Sequence, residues 1–220
     1  MPSTPPRSDL GRLLQPLARP LGILTVSFVV GAIPFSGLAA RLLAGVDLRR
    51  RGSGTVSGTA LYEVTGFGPL AVAGSLDVAK GAVGPLLAGR KRPFLRALAA
   101  GAAVTGHNWS PFLGGAGGRG VSTALGATLV TAPEATVVLG GSLGMGRVVR
   151  QTGLACFAGI VSLFPLLGRR RGAAGVVLAG ALAGPMLGKR VVGNEPPDPD
   201  ADRRKVVLWR LLFDRDPAKT

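Results

Sequence analysis

Cysteine, histidine and acidic residues are all scarce in this chain. Cys156 is the only cysteine and His107 the only histidine among 220 residues. A single thiol excludes a disulfide within the chain and a metal site built on several cysteines, and a single imidazole excludes a zinc site built on several histidines. We therefore expect no metal site.

Negative charge is also in short supply. The chain has 11 Asp+Glu against 26 Lys+Arg, a formal net charge of +15, and charged residues make up only 17% of it. The basic residues are bunched between apolar runs rather than interleaved with the few aromatic residues. This distribution suits loops facing anionic lipid better than a nucleic-acid-binding face, so we expect membrane lipids as partners and no nucleic acid.

Apolar residues and glycine are abundant instead. Hydrophobic residues reach 47%, with 35 glycines, and the mean hydropathy is +0.39. A helix needs about 20 mainly apolar residues to cross a hydrocarbon core about 30 Å thick. Runs approaching this length cover residues 21–46, 66–89, 94–113, 121–130 with 135–145, 153–167 and 172–188. They predict an all-α, polytopic transmembrane bundle of six or seven helices, in which Pro133-Glu134 joins two short helices.

Composition divides the chain into three parts. Residues 1–20 form a Pro-rich, basic N-terminal segment, residues 21–188 the transmembrane domain, and residues 189–220 a polar basic tail. The apolar run after residue 20 is too long for the core of a signal peptide, so cleavage is not expected. Basic clusters follow several of the runs, and the positive-inside rule alone leaves the orientation open. The sequence also leaves the oligomeric state open.

A first polar motif, residues 52–59, follows three consecutive arginines and is called the serine loop here. It reads Gly-Ser-Gly-Thr-Val-Ser-Gly-Thr. Glycine backbone N–H groups, hydroxyls and neighbouring arginines together suit a phosphate. A flexible Gly/Ser linker of no further function is the alternative reading of the same composition.

A second motif places Asp77 and Lys80 inside an apolar run, three residues apart and therefore on one helix face. Charges at membrane depth are costly unless they are paired or face a wet cavity. We expect both side chains to point into the bundle, as a structural ion pair rather than as direct catalysts.

The third motif carries the strongest signal for an anion site. His107 precedes a glycine run, residues 114–120, called the glycine loop here, which contains Arg119 and leads into an apolar run. Main-chain donors, a fixed cation and the positive end of a helix dipole then meet in one place. The spacing is not that of a Walker loop, so no nucleotide and no other cofactor is inferred. A lone histidine is more often a hydrogen-bonded structural residue than a base.

Taken in order, these motifs resemble the bacterial, membrane-bound, acyl-phosphate-dependent glycerol-3-phosphate acyltransferase family. The resemblance runs from about Gly31 to Thr123 and returns weakly between Lys189 and Glu195. It implies a polytopic helical protein of the cell membrane whose motif loops gather at the cytoplasmic face. It further implies transfer of a fatty acyl group from acyl phosphate to the 1-hydroxyl of glycerol 3-phosphate, giving lysophosphatidic acid for phospholipid biosynthesis.

The resemblance also implies roles for individual residues. Ser53 would sit at the reacting groups and His107 would orient the glycine loop, which makes these two the candidate catalytic residues. The candidate substrate-binding residues are Gly52, Gly54, Thr59, Lys80, Gly117, Gly118, Arg119, Gly120 and Thr123.

Several positions depart from the family pattern. Thr55 and Ala60 replace two asparagines of the first motif, Glu63 stands where an arginine is usual, and Arg119 replaces a lysine. Aligned on Arg190, the closing motif has Gly184 and Leu187 in place of a histidine and an asparagine. These departures predict weakened binding of the acceptor. They leave a second hypothesis open, that of a non-catalytic membrane protein retaining the fold and an anion or lipid site.

Overall fold

The computed structural model describes residues 9–217 of the chain, and the side chains from residue 17 onward. Residues 1–8 of the predicted N-terminal segment and residues 218–220 of the predicted tail lie outside this range. Across the described range the regular elements are helices. They are α1 (Asp9–Ala32), α2 (Phe35–Ala44), α3 (Gly58–Thr65), α4 (Phe67–Ala88), α5 (Pro93–Asn108), α6 (Val121–Thr131), α7 (Pro133–Val148), α8 (Thr152–Val192) and α9 (Arg203–Phe213), with short 3₁₀ turns at Leu48–Arg50 and Pro111–Leu113.

The first apolar run differs from the prediction at its start and in its middle. Helix α1 already begins at Asp9, so residues 9–20 are helical, and the run predicted as one segment is broken before Pro34. Proline lacks an N–H group and disfavours helical geometry in the residue before it, which separates α1 from α2. Helix α2 then ends at Gly45, whose φ of 65° is left-handed.

The middle helices follow the predicted runs closely. Helix α4 lies between Gly66 and Gly89, the glycines that bound the predicted run. Pro133 opens α7 immediately after α6 ends, which confirms the predicted turn between two short helices. Helix α5 ends at Asn108 rather than near Leu113, because the chain turns into the 3₁₀ segment Pro111–Leu113.

The predicted last pair of helices forms a hairpin within α8. Gly172 has non-helical backbone angles, φ 59° and ψ −143°. A Cβ atom on Gly175 would lie 2.1 Å from the carbonyl oxygen of Leu167, so the chain folds back on itself there. Residues 152–171 and 173–192 are therefore two antiparallel arms, as the two separate apolar runs predicted.

Small residues let the helices approach closely. A Cβ atom on Gly81 of α4 would lie 1.9 Å from the carbonyl oxygen of Thr123, and one on Gly126 of α6 would lie 1.8 Å from that of Val78. The backbones of α4 and α6 thus touch at two points about one turn apart, a mode of packing that membrane helices favour because lipid supplies no hydrophobic drive. Helices α1, α5 and α8 pack beside this pair, around a core rich in alanine and leucine.

The outer surface of the bundle is apolar. Leu42, Phe67, Val137 and Val148 are all at least 72% exposed. Three helical stretches of the described chain are long and apolar enough to span a membrane, namely Leu17–Ala44, Phe67–Ala88 and Thr152–Val192, and Val121–Thr131 is a shorter apolar helix. This surface suits contact with lipid hydrocarbon, as predicted for a polytopic membrane protein.

The alternating helices give the bundle two distinct ends. At one end, called the distal end, lie the turns after α4 and α6 and the bend at Gly172. Arg96 of α5 there donates to the carbonyl oxygen of Val130, and Arg171 pairs with Glu134. The other end, called the site end, holds the serine loop, the glycine loop and α9.

Candidate active site

The serine loop is shaped by hydrogen bonds at both of its ends. Asp47 caps the 3₁₀ turn before it by accepting from the backbone N–H of Arg49. Ser57 caps α3 after it by accepting from the N–H of Ala60. Between these caps Ser53 is exposed and its hydroxyl donates to Thr55 Oγ1 at 2.9 Å. The loop therefore presents the Ser53 hydroxyl at the surface while both of its ends are held.

The glycine loop lies directly on His107. The N–H of Gly118 donates to the carbonyl oxygen of His107 at 3.2 Å. A Cβ atom on Gly118 would lie 2.2 Å from Nε2 of His107 and 2.9 Å from the carbonyl oxygen of Val56. Only glycine fits between the imidazole and the serine loop, so His107 acts as the platform on which the glycine loop rests.

The two loops are joined to each other at Gly117. Its carbonyl oxygen accepts from the N–H of Val56 at 3.1 Å. Asn194, which follows α8, clasps the same residue, because its Nδ2 donates to the Gly117 carbonyl oxygen at 3.1 Å and its Oδ1 accepts from the Gly117 N–H at 3.2 Å. The backbone of Gly117 is therefore fixed by two distant parts of the sequence.

An ion pair beside the serine loop adds a second link. Arg49 pairs with Asp47 at 2.6 Å and also donates to the carbonyl oxygen of Leu113 at 3.2 Å. The hydrogen bond from Arg49 holds the pKa of the Asp47 carboxyl well below its usual range, and the nearby Arg41 lowers it further. Asp47 thus stays ionised and keeps Arg49 directed toward the glycine loop.

Asp77 and Lys80 form the predicted buried pair. Lys80 Nζ lies 2.7 Å from Asp77 Oδ1. Asp77 also accepts from the Ser36 hydroxyl at 2.7 Å, and Lys80 donates to the carbonyl oxygen of Ile33 at 2.6 Å. Both charges are therefore neutralised and hydrogen-bonded, and together they tie α4 to the break between α1 and α2.

A large cleft opens at the site end between these loops and the ends of α7, α8 and α9. Its volume is about 1440 Å³, enough for a ligand much larger than glycerol phosphate, such as one with a hydrocarbon chain. Its walls carry more basic than acidic groups. The charged residues that line it are Arg50, Arg51, Glu63, Asp77, Arg119, Arg147, Arg190 and Asp214.

Arg119 is held from the C-terminal side of the chain. Its guanidinium lies 2.7 Å from Asp214 Oδ1, just after α9, and donates to the carbonyl oxygen of Lys189 at 3.1 Å. Lys189 in turn donates to the carbonyl oxygen of Gly115 at 3.1 Å. Lys189 thus holds the glycine loop through the carbonyl oxygen of Gly115, while Arg119 contacts Asp214 at the cleft wall.

The structure brings together one part of the predicted site and places the rest behind it. The predicted residues that line the cleft are Gly52, Ser53, Thr59, His107, Arg119 and Gly120. Gly54, Gly117 and Gly118 are buried in the loop junction. Lys80 and Thr123 are buried beneath the cleft, where the Thr123 hydroxyl donates to the carbonyl oxygen of Asp77. For these two residues the geometry supports a positioning role rather than substrate contact.

The residues that depart from the family pattern fall in different places. Glu63 lines the cleft, on the same face of α3 as Thr59. Gly184 and Leu187 do not belong to the cleft lining, and Leu187 packs against the main core. Thr55, Ala60 and Arg119 also line the cleft, so the predicted weakening of acceptor binding has cleft residues behind it for the first motif and the glycine loop, but not for the closing motif.

Sequence reasoning missed several residues of this site. Arg147 lines the cleft and donates to the Thr59 hydroxyl at 2.7 Å, and Arg190 and Asp214 also face it. Asn194 does not line the cleft but holds the glycine loop through its two hydrogen bonds with Gly117. The weak signal for Arg190 and Asn194 was their place in the closing motif, whereas Asp214 had no sequence signal at all.

These features define a polytopic helical membrane protein with an arginine-lined cleft at one end of its bundle. Residues 21–187 match the family model described as glycerol-3-phosphate acyltransferase. A glycerol-3-phosphate acyltransferase of Synechococcus sp. is 33% identical over 168 residues, which cover 75% of this chain and 84% of that protein. The glycerol-3-phosphate acyltransferase 2 of Moorella thermoacetica is 44% identical over 113 residues, or 51% of this chain and 58% of that protein.

A solved structure shares the fold. The crystal structure of PlsY (YgiH), an integral membrane glycerol 3-phosphate acyltransferase in its glycerol 3-phosphate form, superposes with a TM-score of 0.68 at 27% identity, over 78% of this chain and 88% of that one. The first curated relatives are matched over less than two thirds of their own length, 56–58% for three of them. The chain belongs to the glycerol-3-phosphate acyltransferase family.

Proposed function

We propose that this protein transfers a fatty acyl group from acyl phosphate to the 1-hydroxyl of glycerol 3-phosphate, forming lysophosphatidic acid and inorganic phosphate. The observation that carries the proposal is the convergence of both loops and of Arg50, Arg51, Arg119 and Arg147 on one cleft. Both substrates are anionic, and a basic cleft in a membrane bundle holds phosphate groups beside an apolar surface for the acyl chain. Relatives named glycerol-3-phosphate acyltransferases support acyl transfer to glycerol 3-phosphate.

The reaction needs no covalent intermediate on the protein. Acyl phosphate is a mixed anhydride, so its carbonyl carbon is already activated. The substrate hydroxyl attacks that carbon and a new C–O bond forms, the leaving phosphate takes the electron pair of the broken C–O bond, and the hydroxyl proton passes to that phosphate. The protein contributes by holding the two groups in line and by stabilising negative charge.

The residues divide this work between them. Ser53 lies exposed at the cleft wall, where its hydroxyl serves the reacting groups. Arg119 and the N–H groups at the start of α6 serve a phosphate, and the helix dipole of α6 adds to this attraction. His107 positions the glycine loop through its contact with Gly118. The buried Lys80 does not line the cleft and acts through its ion pair with Asp77, which does.

A release assay tests the proposal directly. The purified protein is incubated with acyl phosphate, with and without glycerol 3-phosphate, and both inorganic phosphate and lysophosphatidic acid are measured. We expect both products only when the acceptor is present, and a strong loss of both in Ser53→Ala. Absence of phosphate release under every condition would favour a non-catalytic protein with an anion or lipid site.

We further propose that the protein resides in the cell membrane with the site end facing the cytoplasm. The site end carries Arg49–Arg51, Arg147, Arg150, Lys189, Arg190 and the four basic residues of α9, whereas the distal end carries Arg90–Arg92, Arg96 and Arg169–Arg171. The richer cluster favours the cytoplasmic side. In intact cells, labelling by a membrane-impermeant thiol reagent should reach Lys91→Cys but neither Arg51→Cys nor Phe112→Cys. The opposite pattern would reverse the orientation.

A further inference from the structure

A C-terminal segment beyond the part of the chain that matches the family supplies one wall of the cleft. This segment contains α9 and ends, within the described residues, just after Asp216. Phe213 and Asp214 both line the cleft. The segment is therefore placed to influence what binds there, although no sequence motif marks it.

The position of α9 is fixed by two buried arginines. Arg210, 6% exposed, donates to the carbonyl oxygens of Val192 and Glu195 and pairs with Asp216. Arg190, 2% exposed, donates to the carbonyl oxygens of Gly153 and Leu211 at 2.9 and 3.1 Å. Two ends of α8 and the end of α9 are thus held together, so Asp214 is presented from a firm base.

Asp214 itself is turned toward the cleft by an unusual backbone conformation. It caps α9 with a φ of 57°, in the left-handed region. Its carboxylate lies 2.7 Å from Arg119, in a contact whose side chains are 22% and 14% exposed. Burial raises the pKa of the Asp214 carboxyl, and the positive charges of Arg119 and Arg190 oppose that change. Asp214 is therefore paired with Arg119, the residue to which the proposed function assigns phosphate binding.

We propose that Asp214 is a specificity-determining residue that occupies Arg119 in the substrate-free protein and is displaced when a phosphate group binds. A phosphate brings up to two negative charges and three acceptor oxygens, so it competes well with one carboxylate for a guanidinium. A ligand carboxylate has no such advantage over Asp214. The contact thus admits phosphorylated ligands and rejects carboxylates of similar size. The identity of the phosphate as a substrate rests on the proposed function, whereas the exchange at Arg119 does not.

Calorimetric titration of the purified full-length protein with inorganic phosphate, and separately with acetate, tests this exchange. We expect Asp214→Asn to bind phosphate roughly tenfold more tightly than the wild type, since one competing charged contact is removed. It should also gain measurable acetate binding. Asparagine tolerates the left-handed conformation, so the backbone is kept. Asp200→Asn, which removes the same charge from the exposed linker, is the matched control and should leave both affinities unchanged.

A double mutant shows whether the gain in phosphate affinity depends on Arg119. In an Arg119→Gln background, Asp214→Asn should change the affinity for phosphate less than twofold, because the contested cation is gone. Unchanged or weaker phosphate binding in Asp214→Asn, or an equal gain in the Arg119→Gln background, would overturn the proposal. Should Asp214→Asn fail to fold, Asp214→Gly, which also accepts a positive φ, replaces it.

A second measurement leaves Asp214 in place. Trp209 packs on Phe213 with ring centroids 5.0 Å apart, so displacement of the adjacent Asp214 should alter Trp209 fluorescence. We expect phosphate, and not acetate, to change the emission of a Trp109→Phe variant, which retains Trp209 alone. No change at saturating phosphate would overturn displacement. Because both experiments measure phosphate binding without acyl phosphate, a protein that lacks acyltransferase activity still gives a clear answer.

Discussion

Two aspartate–cation pairs in this bundle have the same contact distance and opposite surroundings. Lys80–Asp77 and Arg119–Asp214 are both 2.7 Å apart, but the side chains of the first pair are 2% and 3% exposed and those of the second 14% and 22%. Distance therefore does not distinguish their roles. Burial of the first pair leaves solvent little access to replace a lost partner, whereas the second lies where a ligand can take over one side.

The largest expected effect is on the buried pair. Asp77→Asn or Lys80→Met alone should lower the free energy of unfolding by about 3–5 kcal/mol, because each leaves a charge unpaired in a low-dielectric interior. The double variant should be less damaged than either single one. Expression level and thermal stability in detergent measure this, and equal, additive losses would contradict the pairing.

Arg119→Gln should show the reverse behaviour. Loss of a charged contact costs about 1.5–3 kcal/mol, so phosphate and glycerol 3-phosphate affinities should fall roughly ten- to hundredfold. Thermal stability should change much less than in the Lys80→Met variant, because solvent can reach Asp214. Arg171→Gln at the distal end, which also breaks an ion pair, is the control with unchanged affinity. An equally large loss of stability in Arg119→Gln would remove the distinction between the two pairs.

Glu63 tests the charge of the cleft from its other wall. Glu63→Arg should tighten glycerol 3-phosphate binding about tenfold, since a repelling charge becomes an attracting one. Glu63→Gln should give part of that gain and separates loss of repulsion from a new contact. The test is to measure KM and direct binding of glycerol 3-phosphate for the wild type and both variants. No change in either variant would place acceptor binding away from α3.

The smallest effect concerns the surface pair of Asp47 and Arg49. Because the pKa of Asp47 is depressed, its contribution to stability is present above the ordinary aspartate range and lost as pH falls through the lowered value. Asp47→Asn should therefore be slightly less stable than the wild type at neutral pH. The difference should shrink below about pH 4. Thermal melts across this range measure it, and a difference that grows on acidification would contradict the assigned direction.

Much of the fold follows from local sequence. Gly66 precedes α4 and Gly89 follows it, because a glycine in a turn ends an apolar helical run. Pro133 starts α7 because proline suits a first helical turn. The Asp77–Lys80 spacing likewise reveals a buried pair, since a charge at that depth needs a partner. Pro34 interrupts the first apolar run in the sequence, but the apolar residues on both sides of it favoured one run over residues 21–46.

The site was less predictable, because its contacts join distant segments. Asn194 clasps Gly117 across 77 residues and lies 3.5 Å from Thr55 across 139 residues. Neither pattern nor spacing indicates such partners. Arg147 was grouped with other basic residues, and nothing in the sequence around Asp214 distinguishes it from the neighbouring charges of the tail.

The Asn194 clasp has a consequence for how the protein is made. A membrane chain is synthesised and inserted from its N-terminus, so the serine loop and the glycine loop leave the ribosome long before residue 194 does. Until then the Gly117 N–H lacks its Asn194 partner, and the Gly117 carbonyl oxygen has only the N–H of Val56. The two loops therefore complete their mutual arrangement only after the last arm of α8 has joined the bundle, and a nascent chain stalled earlier carries its motifs without an assembled site.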